Sequence, residues 1–298
     1  MARTYPSDVI VLDSGSLLHA RLGRGKSGPR ISQAKEYRLA ADTFSPAVVT
    51  PELTNESSLA EALKRLRNES GRWDKVSLLL PDSWFRINII DLPALPSNHN
   101  EAAEVVRWSL KRSLPIAPES MRVAYEVLSR VQGSVKVMVL SAVEKTLSAI
   151  ERLFAAAGID VILVEPVGLN IWNAIAVREA DTPRDRLFVY VRDTDFTTAV
   201  FRGAQPLFIR SRNLNADRTL QQELRLSATY LRDTMSAQDF QQCYLAGNRI
   251  DGDVSAALES EFGAPVRRIA LRDYVESSTI DLPGVDAELT ACTGVFTA

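Results

Sequence analysis

Asp13, Gly15 and Ser16 follow an apolar run, Val9-Ile10-Val11-Leu12, and form an Asp-x-Gly-Ser turn. Such a turn suits an anion. Glycine lets the backbone approach phosphate oxygens with its amides pointing inward, and the aspartate positions the water shell of a divalent cation. Proteins that clamp a nucleotide between two similar lobes carry one such turn in each lobe. The matching stretch here runs from Leu187 to Arg202 as strand, polar turn and strand. It places Tyr190 where the aspartate belongs and Arg192 where the glycine belongs. A phenol does not hold a hydrated metal as a carboxylate does. A guanidinium pairs with phosphate but does not rebuild a glycine cradle. The chain therefore reads as a nucleotide-binding scaffold with half of its grip altered. Beside that stands the plainer reading of Asp-Ser-Gly as an ordinary hairpin turn.

Other chemistries find little support. His19 and His99 are the only histidines, and neither has ligand spacing. Cys243 and Cys292 are the only cysteines and read as buried reduced thiols, not a zinc site or a disulfide. Gly23-Arg24-Gly25-Lys26 is basic and glycine-rich, but it follows a hairpin and opens no helix, unlike a phosphate loop. Glu165, at a strand end before Pro166, reads by itself as a charged strand terminus. Trp84, Phe85, Ile87 and Trp108 form an aromatic and apolar set that is either core or the lining of a peptide groove.

The elements that must position these residues follow from periodicity. The 298 residues suit about two domains. A formal net charge of -2, with 46% hydrophobic and 24% charged residues, describes an ordinary globular chain without a basic face for nucleic acid. No apolar run approaches the roughly 20 residues of a membrane span, and residues 1–8 lack a signal-peptide core. Each half opens with about three strands: Val9–Leu12, Leu17–Leu22 and Glu36–Ala40, then Leu187–Val191, Thr197–Phe201 and Pro206–Arg210. Helices are expected from Ser57 or Ser58 as cap to Asn68, from Asn100 to Ser113 with Ala102, Val105, Val106, Ser109 and Leu110 inward, from Glu144 to Ala157 with Gly158 as left-handed cap, from Leu169 to Arg178, from Asp217 to Met235, from Val254 to Phe262, and from Val285 onward. Further strands are expected at Val76–Leu80, Trp84–Ile90, Met121–Ser129, Val135–Leu140, Val161–Val164, Cys243–Ala246 and Val266–Ala270. Asp181-Thr182-Pro183-Arg184-Asp185 is the clearest boundary.

In this order the pieces resemble the PilM family, actin-like cytoplasmic proteins of type IV pilus assembly related to FtsA. Four stretches carry the resemblance: Val11 to Ser16; Asp91-Leu92-Pro93 with Glu104 to Ile116 leading to Tyr125-Glu126-Val127-Leu128; Ala155 to Val161 with Val164-Glu165-Pro166; and Leu224 to Tyr230. The resemblance implies an α/β, actin-like (ribonuclease H-like) two-lobed fold. Residues 1–180 would form the first lobe, with an inserted α+β subdomain at about 82–142, and residues 186–298 a shortened second lobe. Asp13, Gly15, Ser16 and Gly247, the last within Ala246-Gly247-Asn248, match nucleotide-contacting positions, here as vestiges. The Ala-Glu-x-x-Lys segment of the family has no counterpart before Leu220.

The resulting expectation is a non-catalytic cytoplasmic adaptor at the inner face of the membrane. It would bind no cofactor and dock the N-terminal tail of a PilN-like inner-membrane protein against Trp84, Phe85, Ile87 and Trp108. The rival reading is a working ATP- and magnesium-binding protein whose nucleotide state sets lobe closure. A sugar or acetate kinase would need both phosphate turns intact.

Overall fold

Two five-stranded sheets share one strand order, and each is built on a central strand whose alternate side chains enter two different cores. The computed structural model describes residues 5–71, 73–112, 114, 116–179, 184–214, 219–235, 240–248, 250, 252–276, 280 and 282–297. The expected boundary at 181–183 lies outside them, as do residues 215–218 before the long helix.

In the first sheet, β1 (Asp8–Leu12) lies between antiparallel β2 (Ser16–Arg24) and parallel β6 (Lys75–Leu80). The antiparallel strand β3 (Pro29–Arg38) and the parallel strand β10 (Asp160–Pro166) form its edges, giving the order β10-β6-β1-β2-β3. The second sheet places β11 (Asp185–Val191) between antiparallel β12 (Asp195–Arg202) and parallel β14 (Cys243–Gly247). Its edges are β13 (Gln205–Asn213) and β15 (Val266–Arg268). Read from the parallel edge, both sheets run fifth, fourth, first, second, third. This is the hairpins-then-crossover pattern expected from the sequence.

Strand alternation divides the cores. Ile10 and Leu12 face α1 (Glu56–Ser70) and α3 (Glu144–Ala156), through Leu59, Leu63, Ile150 and Phe154. Val9 and Val11 face the other way, toward α4 (Val167–Glu179) and α7 (Asp286–Thr297). In the second sheet, Leu187, Val189 and Val191 face α5 (Leu220–Met235) and α6 (Gly252–Phe262). Phe188 and Tyr190 join α4 and α7 in the same core as Val9. Trp172 of α4 stacks on Phe201 at 3.9 Å between ring centres. The two helices therefore run between the sheets and are apolar on nearly every side, as buried helices must be. They approach closely at Gly294, where a Cβ would lie 1.8 Å from the Asn170 carbonyl oxygen.

The inserted unit is a three-stranded antiparallel sheet, ordered β7 (Arg86–Leu92), β9 (Ser134–Val143), β8 (Met121–Val131), with α2 (His99–Ser109) on one face. Val106 and Leu110 pack on Val135, Val137 and Val139. A short pair, β4 (Phe44–Ser45) and β5 (Glu52–Leu53), precedes α1.

Several expectations need correction. Asn55 caps α1, its Oδ1 accepting from the Ser58 amide at 3.1 Å, because the Ser58 hydroxyl is taken by the Ala40 amide and Thr43. Asn98 caps α2, which ends at Ser109 in a turn of 3-10 helix, and Val105 points outward instead of into the inner stripe. The Gly158 expectation holds: φ is 72°, and the Ile159 amide bonds back to the Phe154 carbonyl at 3.0 Å.

Candidate functional site

The turns ending β1 and β11 meet between the two sheets, and they are built alike. In the first, the Asp13 amide donates to the Ser16 carbonyl at 3.0 Å and the Leu39 amide to the Gly15 carbonyl at 2.9 Å. In the second, the Arg192 amide donates to the Asp195 carbonyl at 2.8 Å and the Leu214 amide to the Thr194 carbonyl at 2.8 Å. These bonds fix the correspondence. Arg192 stands where Asp13 stands, Thr194 where Gly15 stands, and Asp195 where Ser16 stands. The sequence reading, which set Tyr190 against the aspartate and Arg192 against the glycine, was displaced by two residues.

Equivalent positions of opposite charge thus face each other. An Arg192 guanidinium nitrogen lies 3.0 Å from Asp13 Oδ2, and another lies 3.9 Å from Asp195 Oδ2. The Asp13 carboxylate also closes its own turn, Oδ1 accepting from the Gly15 and Ser16 amides at 2.7 and 2.8 Å. Asp195 Oδ2 accepts from the Thr194 hydroxyl at 2.9 Å. Burial works against a charge on Arg192, but Tyr190, Asp195, Asp13 and Glu288 outweigh it and hold its pKa above the ordinary value.

Two acids that sequence reasoning missed complete the cluster. Asp82 follows β6 and is buried; its Oδ1 accepts from the Gly168 amide at 2.7 Å, so it caps the N-terminus of α4 from a distant part of the chain. Burial pushes its carboxyl up to about 6, and Asp195 adds to the rise. The Gly168 amide, the Thr197 hydroxyl and Arg192 oppose it. Glu288, on α7, accepts from the Tyr190 hydroxyl at 3.0 Å, and burial raises its pKa also. Among the described residues, the buried oxygens Asp195 Oδ1 and Glu288 Oε2 have no hydrogen-bond partner. Sequence signals existed. Asp82 interrupts an apolar stretch from Val76 to Phe85, and Glu288 is the one charge between Ala287 and Thr297.

The other expected site residues take no part in these contacts. Gly247 pairs with Val191 in the β14–β11 ladder, with φ of 133°. A Cβ there would fall 1.8 Å from the Val191 carbonyl oxygen, so the glycine is needed for strand approach. Glu165 is the last residue but one of β10, and its carboxylate accepts from Asn170 Nδ2 at 2.9 Å. Burial, with Glu126 adding, raises its pKa.

The aromatic set does not assemble. Trp84 sits on a 3-10 turn, not in the expected strand, and is buried with Phe85 beside Phe44 and the α1–α3 core. Ile87 is partly buried. Trp108 stands away from them on the outer face of α2, 77% exposed, with Val105 39% exposed one turn before it. Of the four, Trp108 is largely exposed, Ile87 partly so, and Trp84 and Phe85 are buried. Among the described residues no three His, Cys, Asp or Glu side chains form a metal-binding group, and Cys243 and Cys292 are buried free thiols.

No protein-family model matches the chain, and no curated protein matches its sequence. Solved structures do match its fold. A chain of a PilM-PilN type IV pilus biogenesis complex superposes with a TM-score of 0.81 at 17% identity, over 99% of this chain and 98% of that one. A Bacteroides thetaiotaomicron protein with an actin-like ATPase fold gives 0.57 at 12% identity, over 95% and 94%. The fold is actin-like. The cytoplasmic domain of EpsL, an inner-membrane component of the Vibrio cholerae type II secretion system, gives 0.53 at 12% identity, over 98% and 94%. The two turns that meet between the sheets therefore lie on an actin-like frame.

Proposed function

We propose that the chain is a non-catalytic adaptor of a type IV pilus or related secretion apparatus, capturing the N-terminal tail of a PilN-like inner-membrane protein at the cytoplasmic face of the membrane. What carries the reading is the likeness, over nearly the whole of both chains, to the PilM-PilN complex chain. The similarity to a type II secretion component broadens the class of apparatus. Residues 1–180, with the insertion at about 82–142, would form the first lobe and residues 186–298 the second. Among the described residues no helix is long and apolar enough to cross a membrane, so membrane contact would come through the partner.

Docking would use the inserted unit. Trp108 and Val105 offer an exposed apolar face, and β8 pairs on one side only among the described strands, leaving a backbone edge to which an extended peptide can add. Trp84, Phe85 and Ile87 would hold the sheet against the first-lobe core and not touch the tail. Against a nucleotide role stand two features of the paired turns. The Gly15 and Ser16 amides are already taken by the Asp13 carboxylate, and Arg192 bonds to that carboxylate from the other turn. These features favour the adaptor reading over a working magnesium and triphosphate site.

The test is calorimetric titration with a synthetic peptide of the partner's cytoplasmic N-terminus. Trp108→Ala should weaken capture by about 2 kcal/mol, the scale of a hot-spot aromatic. Unchanged affinity would remove Trp108 from the interface. The rival nucleotide-gated reading predicts a raised melting temperature in Mg-ATP, since ligand at a hundred times its Kd adds about 2.7 kcal/mol. The adaptor reading predicts no shift.

A further inference from the structure

The turns at the ends of β1 and β11 occupy equivalent places in two sheets of identical strand order, yet one carries Asp13 and the other Arg192. We propose that Arg192 is an internal cation that holds the cleft between the two lobes closed, joining the Asp13 turn of one sheet to Asp195 of the other with no bound ligand.

The geometry is that of a bridge. Arg192 contacts a carboxylate in each sheet, at 3.0 Å across the cleft and 3.9 Å within its own turn, and its side chain is only 11% exposed. Asp13 from the β1–β2 turn and Asp195 from the start of β12 contact it, and the charges of Asp82 after β6 and Glu288 on α7 also act on it. Tyr190, two residues before it, ties β11 to α7 through Glu288.

Two acidic turns in this position would repel in a poorly hydrated site and would need a separate cation between them. With arginine in one turn, the lobes attract directly. A guanidinium suits the task because it stays charged when buried and presents several donors in a fixed plane. Removing it leaves the Asp13 and Asp195 carboxylates without the cation between them, which separation of the lobes or uptake of protons would relieve.

The inference is independent of any docked tail, and its test needs no partner. Labels at Lys64→Cys on α1 and Ser260→Cys on α6, both exposed and on opposite sheets, report lobe separation by pulsed spin-label distances; the native cysteines are buried. In the full chain, Arg192→Gln should shift the distances longer and broaden them. Amide exchange at residues 13–16 and 192–195 should quicken roughly tenfold or more as the closed state loses population. Arg192→Lys, which keeps the charge, should stay near wild type in both readouts. Should Arg192→Gln fail to fold, Asp13→Asn removes only the cross-cleft half of the bridge and should lengthen the distances to a lesser degree. Distances and exchange unchanged in Arg192→Gln, or in Asp13→Asn where that variant stands in, would overturn the proposal. So would an Arg192→Lys variant as open as Arg192→Gln.

Discussion

Replacing Asp82 by asparagine should stabilise this protein above neutral pH and leave it unchanged in mild acid. The carboxyl is buried, and its pKa rises from 3.8 to about 6 on folding. The folded state therefore keeps a proton that the unfolded chain releases near pH 4. Between about pH 4 and pH 6 the folded state binds more protons than the unfolded state, so stability falls as pH rises, and above about 6 the loss is complete. At 1.36 kcal/mol for each pH unit, the rise is worth about 3 kcal/mol. Near-complete burial leaves little solvent to screen it. Asparagine keeps the acceptor for the Gly168 amide, now 2.7 Å from Oδ1, and so preserves the cap on α4. It also turns a donor toward the neighbouring acids and cannot ionise. Urea denaturation of both proteins from pH 4 to pH 8 should show curves that coincide at the acid end and diverge to about 3 kcal/mol by pH 7. A difference that is constant across the range, or a variant less stable at pH 8, would refute the assignment of a strained buried carboxylate.

Other substitutions probe the frame. Gly294→Ala places a Cβ 1.8 Å from the Asn170 carbonyl and should separate α4 from α7, costing about 2–4 kcal/mol in urea denaturation. Trp172→Ala empties the space between Phe201, Phe188 and Tyr244 and should cost about 3–5 kcal/mol by the same measurement. Trp108→Ala should change stability by less than about 0.5 kcal/mol, because the ring is mostly in solvent, while peptide affinity falls. A matching loss of stability would make Trp108 a packing residue instead.

The fold was legible because its signals are local. Apolar runs of four to six residues, a glycine after Ala157 and the three-strand openings of both halves need no tertiary knowledge to read. The alignment of the two turns was not legible, and the reason is periodicity. A strand repeats every two residues, so sliding β11 by two against β1 keeps every side chain on its face, and only backbone hydrogen bonds separate the two registers. Asn55 was overlooked for Ser57 and Ser58 because all three have capping side chains; the hydroxyl of Ser58 is claimed by a loop some 15 residues earlier. Trp84 and Trp108 look alike as letters. One faces the Phe44 side of the first-lobe core and the other faces water, a distinction made by where the inserted sheet and α2 pack.

The charge reversal between the two turns bears on how a tail would be captured. An acidic pair across the cleft would make lobe spacing depend on whatever cation or ligand happened to be bound, whereas the Asp13–Arg192 pair makes it a property of the chain. The inserted sheet touches both lobes: β7 lies beside β13, and the Arg86 side chain feels Arg212 of the second sheet. A change in lobe spacing would therefore move β7 and, through β9, the β8 edge and the α2 face. If Arg192 fixes that spacing, Arg192→Gln should weaken peptide capture without touching the docking surface, and Asp13→Asn should do so less. Trp108→Ala should weaken capture with lobe distances unchanged. Longer label distances in Arg192→Gln with capture unchanged would break the link between cleft and docking face while leaving each open to its own test.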